Sequence, residues 1–348
     1  MGKVVRFAAP YQVEVAEYPE RALAPGEVRI ATLYSGISSG TELSHYRGTN
    51  PGVSKKYDPV SKLFRTAEVT HWYPRSSGYE EVGHVVETGP AVDGVKMGDV
   101  VFGTWQHHST CIMEGEQAQR QKLLAGLDPL QGIFSQIGAI ALNGILDAQI
   151  NVGETVAIFG QGTLGLITTQ LAKLSGATVI AVDLYPKRLE MASSLGADCV
   201  INSKQAEPAE EIKRLTGFKG ADVCLEVSGS TAALHEAIRS AAYSAKVVSL
   251  GFFQGEASGL YLGEEFHHNR VQVICSQIGG INQAYTYRWD HFRLNKTIMQ
   301  LQERGSLRLL ELVSGIYPYE QAASAYERLD KEQADVIQLV LDFKSTTP

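Results

Sequence analysis

Short alternating or β-branched apolar runs recur along the first third of the chain: Val4–Phe7, Val13–Ala16, Val28–Tyr34, Val82–Thr88 and Val100–Thr104. A period of two marks strands with one buried face. Pro25–Gly26, Gly89–Pro90 and Gly98–Asp99 supply turns between them. Thr49–Ser77 breaks the rhythm: it is polar, carries Pro51, Pro59 and Pro74, and holds Phe64, Trp72 and Tyr73. So long a loop in a compact domain is usually functional or disordered, and its aromatics favour a lid on the substrate side.

From Gly153 the period changes. Buried-strand runs at Thr155–Phe159, Val179–Val182, Cys199–Ile201, Val223–Val227, Lys246–Leu250 and Val271–Ser276 interleave with helical stretches at Leu164–Leu174, Lys187–Leu195, Ala209–Leu215 and Thr231–Ser240. Strands alternating with helices imply crossover units and a parallel sheet. The tail adds helical segments His291–Glu303 and Gln321–Lys331 and a last strand, Val336–Asp342. Because the parallel sheet is already complete, the tail is expected to return to the first domain.

Composition narrows the class. The 348 residues are 44% hydrophobic and 20% charged, ordinary for a globular chain long enough for two domains. A formal charge of −7 with no basic cluster leaves no footprint for nucleic acid. No apolar run reaches the roughly 20 residues that span a bilayer, and MGKVVRFAAP lacks the apolar stretch of a signal peptide. Cys111, Cys199, Cys224 and Cys275 lie far apart, arguing against a disulfide framework or a zinc ribbon. The expectation is a cytoplasmic protein acting on a small molecule, with neither nucleic acid nor membrane as partner.

The chemistry enters at Gly160-Gln-Gly162-Thr163-Leu164-Gly165, placed after a strand and opening a helix. The first glycine makes the tight turn, the second lets backbone approach a pyrophosphate, and the third allows close helix packing. Amides near Thr163 and Leu164 then point at the phosphates from the positive end of the helix dipole. Asp183 ends the second strand, 18 residues after Gly165, near the spacing of the carboxylate that binds a ribose 2′-hydroxyl. Its charge would repel a 2′-phosphate, so NAD is the expected cofactor. Arg188 stands where it would flank the adenosine ribose.

Domain order, the Gly78–Gly83 stretch GYEEVG, the turn segment Val85–Asp99 and the nucleotide fold starting near residue 150 resemble the medium-chain dehydrogenase/reductase (zinc-type alcohol dehydrogenase-like) superfamily. The resemblance implies an α/β protein: a GroES-like β-rich catalytic domain over residues 1–128 and 285–348, and a Rossmann doubly wound parallel sheet domain over 129–284. It also implies an active site in the cleft between them and a homodimer formed through the nucleotide-binding domains. Further cofactor contacts are expected at Ser228, Leu250, Gly251, Phe252 and Ser276.

The resemblance breaks at the metal. Ser39 stands where zinc members carry Cys, Tyr79 where they carry His, and Gln136 falls on the third ligand position. Neutral Ser, Tyr and Gln are poor replacements for thiolate, imidazole and carboxylate, so no metal is expected. His107 and His108 are adjacent, and neighbours on a strand point to opposite faces. Without zinc, an alcohol dehydrogenase needs a positioned acid/base. Thr41 matches the family's proton-relay position, Tyr79 brings a phenol to the vacated site, and Glu80 would orient it or accept a proton; these three are the catalytic candidates. To act as a base near neutral pH, Tyr79 would need a pKa depressed from about 10. Ser39, Trp105, Gln136, Tyr287 and Arg288 are the substrate-binding candidates.

The expected reaction interconverts a secondary alcohol and a ketone on a polar, sugar- or cyclitol-like metabolite. Reduction of an activated C=C bond, and a catalytically silent NAD-binding protein, remain as alternatives.

Overall fold

In the computed structural model, residues 1–66 and 72–344 are described. The chain folds as two compact units, Met1–Ile133 with Val313–Pro348, and Phe134–Leu312.

The first unit is built on antiparallel pairing. Glu27–Ile37 is its central strand, buried along nearly its whole length. Glu81–Thr88, Thr110–Glu114 and Gln338–Asp342 all pair with it antiparallel. Val100–Gly103 extends the sheet beyond Glu81–Thr88, and Val313–Pro318 runs parallel beyond Gln338–Asp342. A separate small sheet holds Gly2–Ala9 between Gln12–Tyr18 and Arg75–Ser76. The core under these sheets contains Phe7, Ile37, Tyr326, Leu339, Leu341 and Phe343.

The aromatic-rich insertion is not structureless. Pro51–Val53 makes a single helical turn, and Lys55–Asp58 pairs with Leu63–Thr66 as a hairpin whose Tyr57 and Phe64 rings lie 5.3 Å apart. The sequence expectation of a lid here falls partly on residues 67–71, which lie outside the described residues.

The second unit is a six-stranded parallel sheet in the order Cys199–Asn202, Thr178–Asp183, Thr155–Phe159, Ala221–Glu226, Ala241–Ser249, Gln272–Cys275. Numbered along the chain, this is 3-2-1-4-5-6, the doubly wound order with its switch point beside the first strand. Ala157, Phe159, Ile180, Val182, Ile212, Cys224 and Val247 belong to one of its core clusters. Phe134–Ala148 is a helix with twelve of its fifteen residues buried. It is apolar nearly all round, so the one-sided stripe that reveals a surface helix is missing.

The first unit resumes at Val313, where a return near residue 285 was expected from sequence. Helix His291–Glu303 explains the difference: it packs on Phe134–Ala148, with Ile298 of the one against Gly138 of the other.

Candidate active site

Helix Ser39–Arg47 starts after Ser38, and Glu42 fixes that start from one side. Its side chain reaches back to accept the Ser38 backbone N–H at 2.8 Å, the carboxylate half of a capping box only. The Ser38 hydroxyl does not cap the helix. It forms a short hydrogen bond with the Tyr79 hydroxyl instead. Thr41 Oγ1 lies 3.3 Å from the same phenolic oxygen. Two turns, Ser38–Thr41 and Gly78–Glu80, thus converge on one hydroxyl.

Beside Tyr79, Glu80 is wholly buried. One carboxyl oxygen accepts from Gln338 Nε2 at 3.2 Å, while Oε1 is buried with no hydrogen-bond partner. A Cβ on Gly36 would lie 2.6 Å from Glu80 Oε2, so the absence of a side chain there makes the room. Burial, with the Glu42 charge as the second cause, pushes the Glu80 carboxyl up to about 8, against hydrogen bonding toward Ser38 and Gln338. An ionised carboxylate with an orphaned buried oxygen is costly, so this side chain holds a proton readily. Burial first, and then the Glu80 charge, raise the Tyr79 phenol above its ordinary range. The depressed value that sequence reasoning required of a tyrosine base is not what these surroundings produce; they keep the phenol protonated.

Behind this lies a second layer that sequence reasoning missed. Glu42 Oε2 lies 2.7 Å from His107 Nε2, and the Tyr326 hydroxyl donates to the same carboxylate oxygen. His107 Nδ1 meets Ser35 Oγ at 2.6 Å, and Ser35 donates onward to Glu81 at 3.0 Å. Glu81 also accepts the Trp105 backbone N–H at 2.7 Å. Glu42, Glu80, Glu81 and His107 are all buried. Burial drives the Glu81 carboxyl and the Tyr326 phenol well upward. Their partners are scattered over the chain at positions 35, 107, 326 and 338, and no local spacing links them.

Among the described residues, no three His, Cys, Asp or Glu side chains group so as to hold a metal ion. The oxygens gathered at Tyr79 are neutral hydroxyls, a donor set that does not fit catalytic zinc.

In the second unit the glycine loop has the geometry of a dinucleotide cradle. Gly160 has φ of +102°. A Cβ on Gly165 would sit 1.9 Å from the Gly160 carbonyl oxygen, so only glycine fits. Gly162 is the N-cap of helix Thr163–Leu174 and has no side chain with which to cap it. Asp183 is buried and fixed by two backbone donors, Gln161 N–H at 2.6 Å and Tyr185 N–H at 2.9 Å. Arg188 lies 5.2 Å over the Tyr185 ring, with its Nη1 3.6 Å from where a Gly162 Cβ would sit. Glu226, also missed from sequence, accepts Ser228 N–H at 2.8 Å and Gly229 N–H at 3.0 Å, while its carbonyl accepts Leu250 N–H at 2.8 Å and Gly251 N–H at 3.1 Å. It ties together the two loops expected to meet the cofactor. Phe252 is about half exposed, and Ser276 Oγ accepts from Asn143 at 3.3 Å. These residues fit a nicotinamide dinucleotide.

The remaining candidates fall elsewhere. Ser39 is the next residue along the helix from the hydroxyl that meets Tyr79. Trp105 is a core residue whose indole N–H donates to Thr32 at 2.8 Å. Gln136 lies half-buried in the first turn of Phe134–Ala148. Tyr287 is 77% exposed, and the Arg288 guanidinium stacks over Tyr285 and Tyr287.

A GroES-like β-unit, a doubly wound nucleotide unit and a polar turn constellation together define a medium-chain dehydrogenase/reductase. Residues 24–149 match the family described as alcohol dehydrogenase GroES-like domain, and residues 163–292 match zinc-binding dehydrogenase. The chain belongs to this superfamily. It is 29% identical to D-guloside 3-dehydrogenase of Escherichia coli K12 over 96% of this chain and 98% of that one. It is 28% identical to (R,R)-butanediol dehydrogenase of Bacillus subtilis 168 over 80% and 84% of the two chains. Among solved structures, an Escherichia coli oxidoreductase of unknown specificity superposes with a TM-score of 0.79 at 21% identity, covering 98% of this chain and 99% of that one. Alcohol dehydrogenase TADH from Thermus sp. ATN1 superposes at 0.75 with 22% identity and the same coverage. The protein is an oxidoreductase acting on CH–OH groups with a nicotinamide cofactor.

Proposed function

We propose that this enzyme interconverts a secondary alcohol and a ketone on a sugar- or cyclitol-like metabolite, using NAD and no catalytic zinc. The observation that carries the reading is the Tyr79 hydroxyl, held by Ser38 and Thr41 beside buried Glu80. When bound, the nicotinamide supplies the hydride acceptor. The protein's own residues handle the proton. Thr41 and Tyr79 orient the alcohol oxygen, and its proton passes to Tyr79 Oη as the phenolic proton moves to Ser38 Oγ. When Glu80 is ionised, the Ser38 proton moves on to its carboxylate and neutralises it, and in reduction the protonated Glu80 returns that proton along the same path. Tyr79 thereby acts as a relay that both accepts and donates, which a phenol of raised pKa performs without becoming a free phenolate.

The polyol class draws support from the D-guloside 3-dehydrogenase relative, and NAD from the buried Asp183 carboxylate. A homodimer is proposed through Gln272–Cys275, which pairs on one side with Ala241–Ser249 and forms the edge of its sheet; we place the protein in the cytoplasm. The test is NAD⁺ reduction on a panel of sugars and cyclitols, with zinc measured in the dialysed protein. Turnover at substoichiometric zinc and in the presence of chelator is expected. Stoichiometric zinc whose removal abolishes turnover would overturn the metal-free mechanism.

A further inference from the structure

We propose, resting on the Tyr79 relay, that Tyr326 is a positioning residue for the reaction: it clamps Glu42 so that the Ser38 hydroxyl is left to serve Tyr79. A serine that precedes a helix ordinarily spends its hydroxyl on the N–H groups of the first turn. Ser38 stands at that place before helix Ser39–Arg47, yet its side chain caps nothing. Glu42 holds the residue by its backbone instead, Oε1 accepting the Ser38 N–H at 2.8 Å. With Ser38 so held, its Oγ meets the Tyr79 hydroxyl.

What keeps Glu42 in that pose comes from outside the turn. Its other oxygen, Oε2, accepts from Tyr326 Oη, and His107 Nε2 lies 2.7 Å from the same oxygen. Tyr326 Oη and His107 Nε2 are themselves 2.9 Å apart, so the three atoms close a triangle. On its far side His107 is fixed by Ser35 Oγ, 2.6 Å from Nδ1.

Tyr326 is itself firmly placed. It lies on helix Ala322–Lys331, fully buried, with its ring edge-on to Phe7 at 5.0 Å and stacked on Tyr46 at 5.8 Å. That packing fixes where the hydroxyl points. Burial first, and then the Glu42 charge, hold the phenol well above its ordinary range, so it stays a donor. A buried carboxylate keeps its place only while its oxygens have donors. A chain of hydrogen bonds therefore runs from Tyr326 to Glu42, to Ser38 and to Tyr79, and Tyr326 acts on the reaction only through the two residues between.

The test is a double-mutant cycle on turnover with NAD⁺ and methyl D-guloside, or whichever panel sugar is oxidised fastest. Tyr326→Phe keeps the packed ring and removes only the donor. Its kcat should fall about two- to fivefold, the size of one lost hydrogen bond, with KM and NADH affinity unchanged. In a Ser38→Ala background the same substitution should cost nothing further, because the hydroxyl it positions is gone. His107→Leu should behave like Tyr326→Phe, and His107→Gln, whose amide can donate from the place of Nε2, should recover most of kcat. Effects of Tyr326→Phe and Ser38→Ala that multiply would show Tyr326 supporting the fold alone, which overturns the positioning role while the relay stands. Full turnover in Tyr326→Phe would overturn it likewise. A silent Ser38→Ala would sink the relay itself, and the positioning role with it. A crystal structure of Tyr326→Phe gives a readout without substrate: Ser38 Oγ should leave Tyr79 Oη for the first-turn amides, and an unchanged contact between the two hydroxyls overturns the proposal.

Discussion

The nucleotide unit and the β-unit make their sites in opposite ways. Around Gly160–Gly165 the site is backbone: a turn, a close approach and a helix end, with Asp183 as its one specifying carboxylate. Around Tyr79 the site is side chains from five separate stretches, layered so that three carboxylates and a histidine are buried together. Backbone sites tolerate drift everywhere except at their glycines, whereas a buried polar network depends on every member being satisfied. The difference teaches where substitutions should act locally and where they should spread.

The largest expected effect is at the point where the side-chain site meets substrate. Tyr79→Phe removes the relay oxygen but keeps the ring, and kcat should fall by about 10²–10⁴-fold, the usual range for a lost acid/base. NADH affinity, measured by fluorescence titration, should hardly move. Retained turnover on an oxidised substrate would remove Tyr79 from the mechanism. Next in size is Asp183→Gly in the backbone-built site. NADH binding should weaken and NADPH binding strengthen, narrowing the preference by about 10–100-fold, because a charge repelling the 2′-phosphate and a charge-assisted acceptor for the 2′-hydroxyl both go. Equal affinities in the unaltered enzyme would break that half of the comparison.

The same contrast explains what could be read in advance. All six parallel strands and their intervening helices follow from apolar periodicity, and the glycines sit at fixed local offsets that state their own purpose. Tyr79 and Thr41 were legible because family turns carry them. Glu42, His107, Tyr326 and Gln338 were not, since each looks like an ordinary polar residue until folding brings them together. The direction of the Tyr79 shift was likewise hidden, because it depends on burial by neighbours far away in sequence. Ser38 was hidden for a smaller reason: Ser38 and Ser39 are the same residue type, and only the helix start shows which hydroxyl turns inward.

A pH-resolved measurement sharpens the side-chain site further. The Glu80 carboxyl is raised from 4.5 to about 8 in the folded protein. Raised in this direction, its contribution to stability is fully present below about pH 4.5 and is lost as pH climbs through about 8. Glu80→Gln cannot ionise, so its unfolding free energy relative to the unaltered enzyme should rise steadily across that window in urea titrations. The kcat profile should lose its limb near pH 8. A constant offset between the two proteins at every pH would show that Glu80 titrates alike in the folded and unfolded chain, and so holds no proton near neutral pH for the reaction.

The smallest effect distinguishes neighbours. The Ser38 hydroxyl is hydrogen-bonded to the Tyr79 hydroxyl, whose other neighbour among the described residues is Thr41 rather than Ser39. Ser38→Ala deletes one link without charge and without altering the backbone N–H that Glu42 accepts, so helix Ser39–Arg47 should keep its start. Losing a neutral hydrogen bond of about 1 kcal/mol corresponds to roughly a fivefold fall in kcat, more if water does not replace the hydroxyl. Because the relay and not substrate capture is interrupted, KM should stay close to its original value, and the kcat–pH profile should shift, since Tyr79 loses its route to the buried carboxyl. Ser39→Ala should change neither. If instead Ser39→Ala slows turnover and Ser38→Ala does not, the proton leaves Tyr79 by another path, and Glu80 is a structural member of the buried network rather than its terminus.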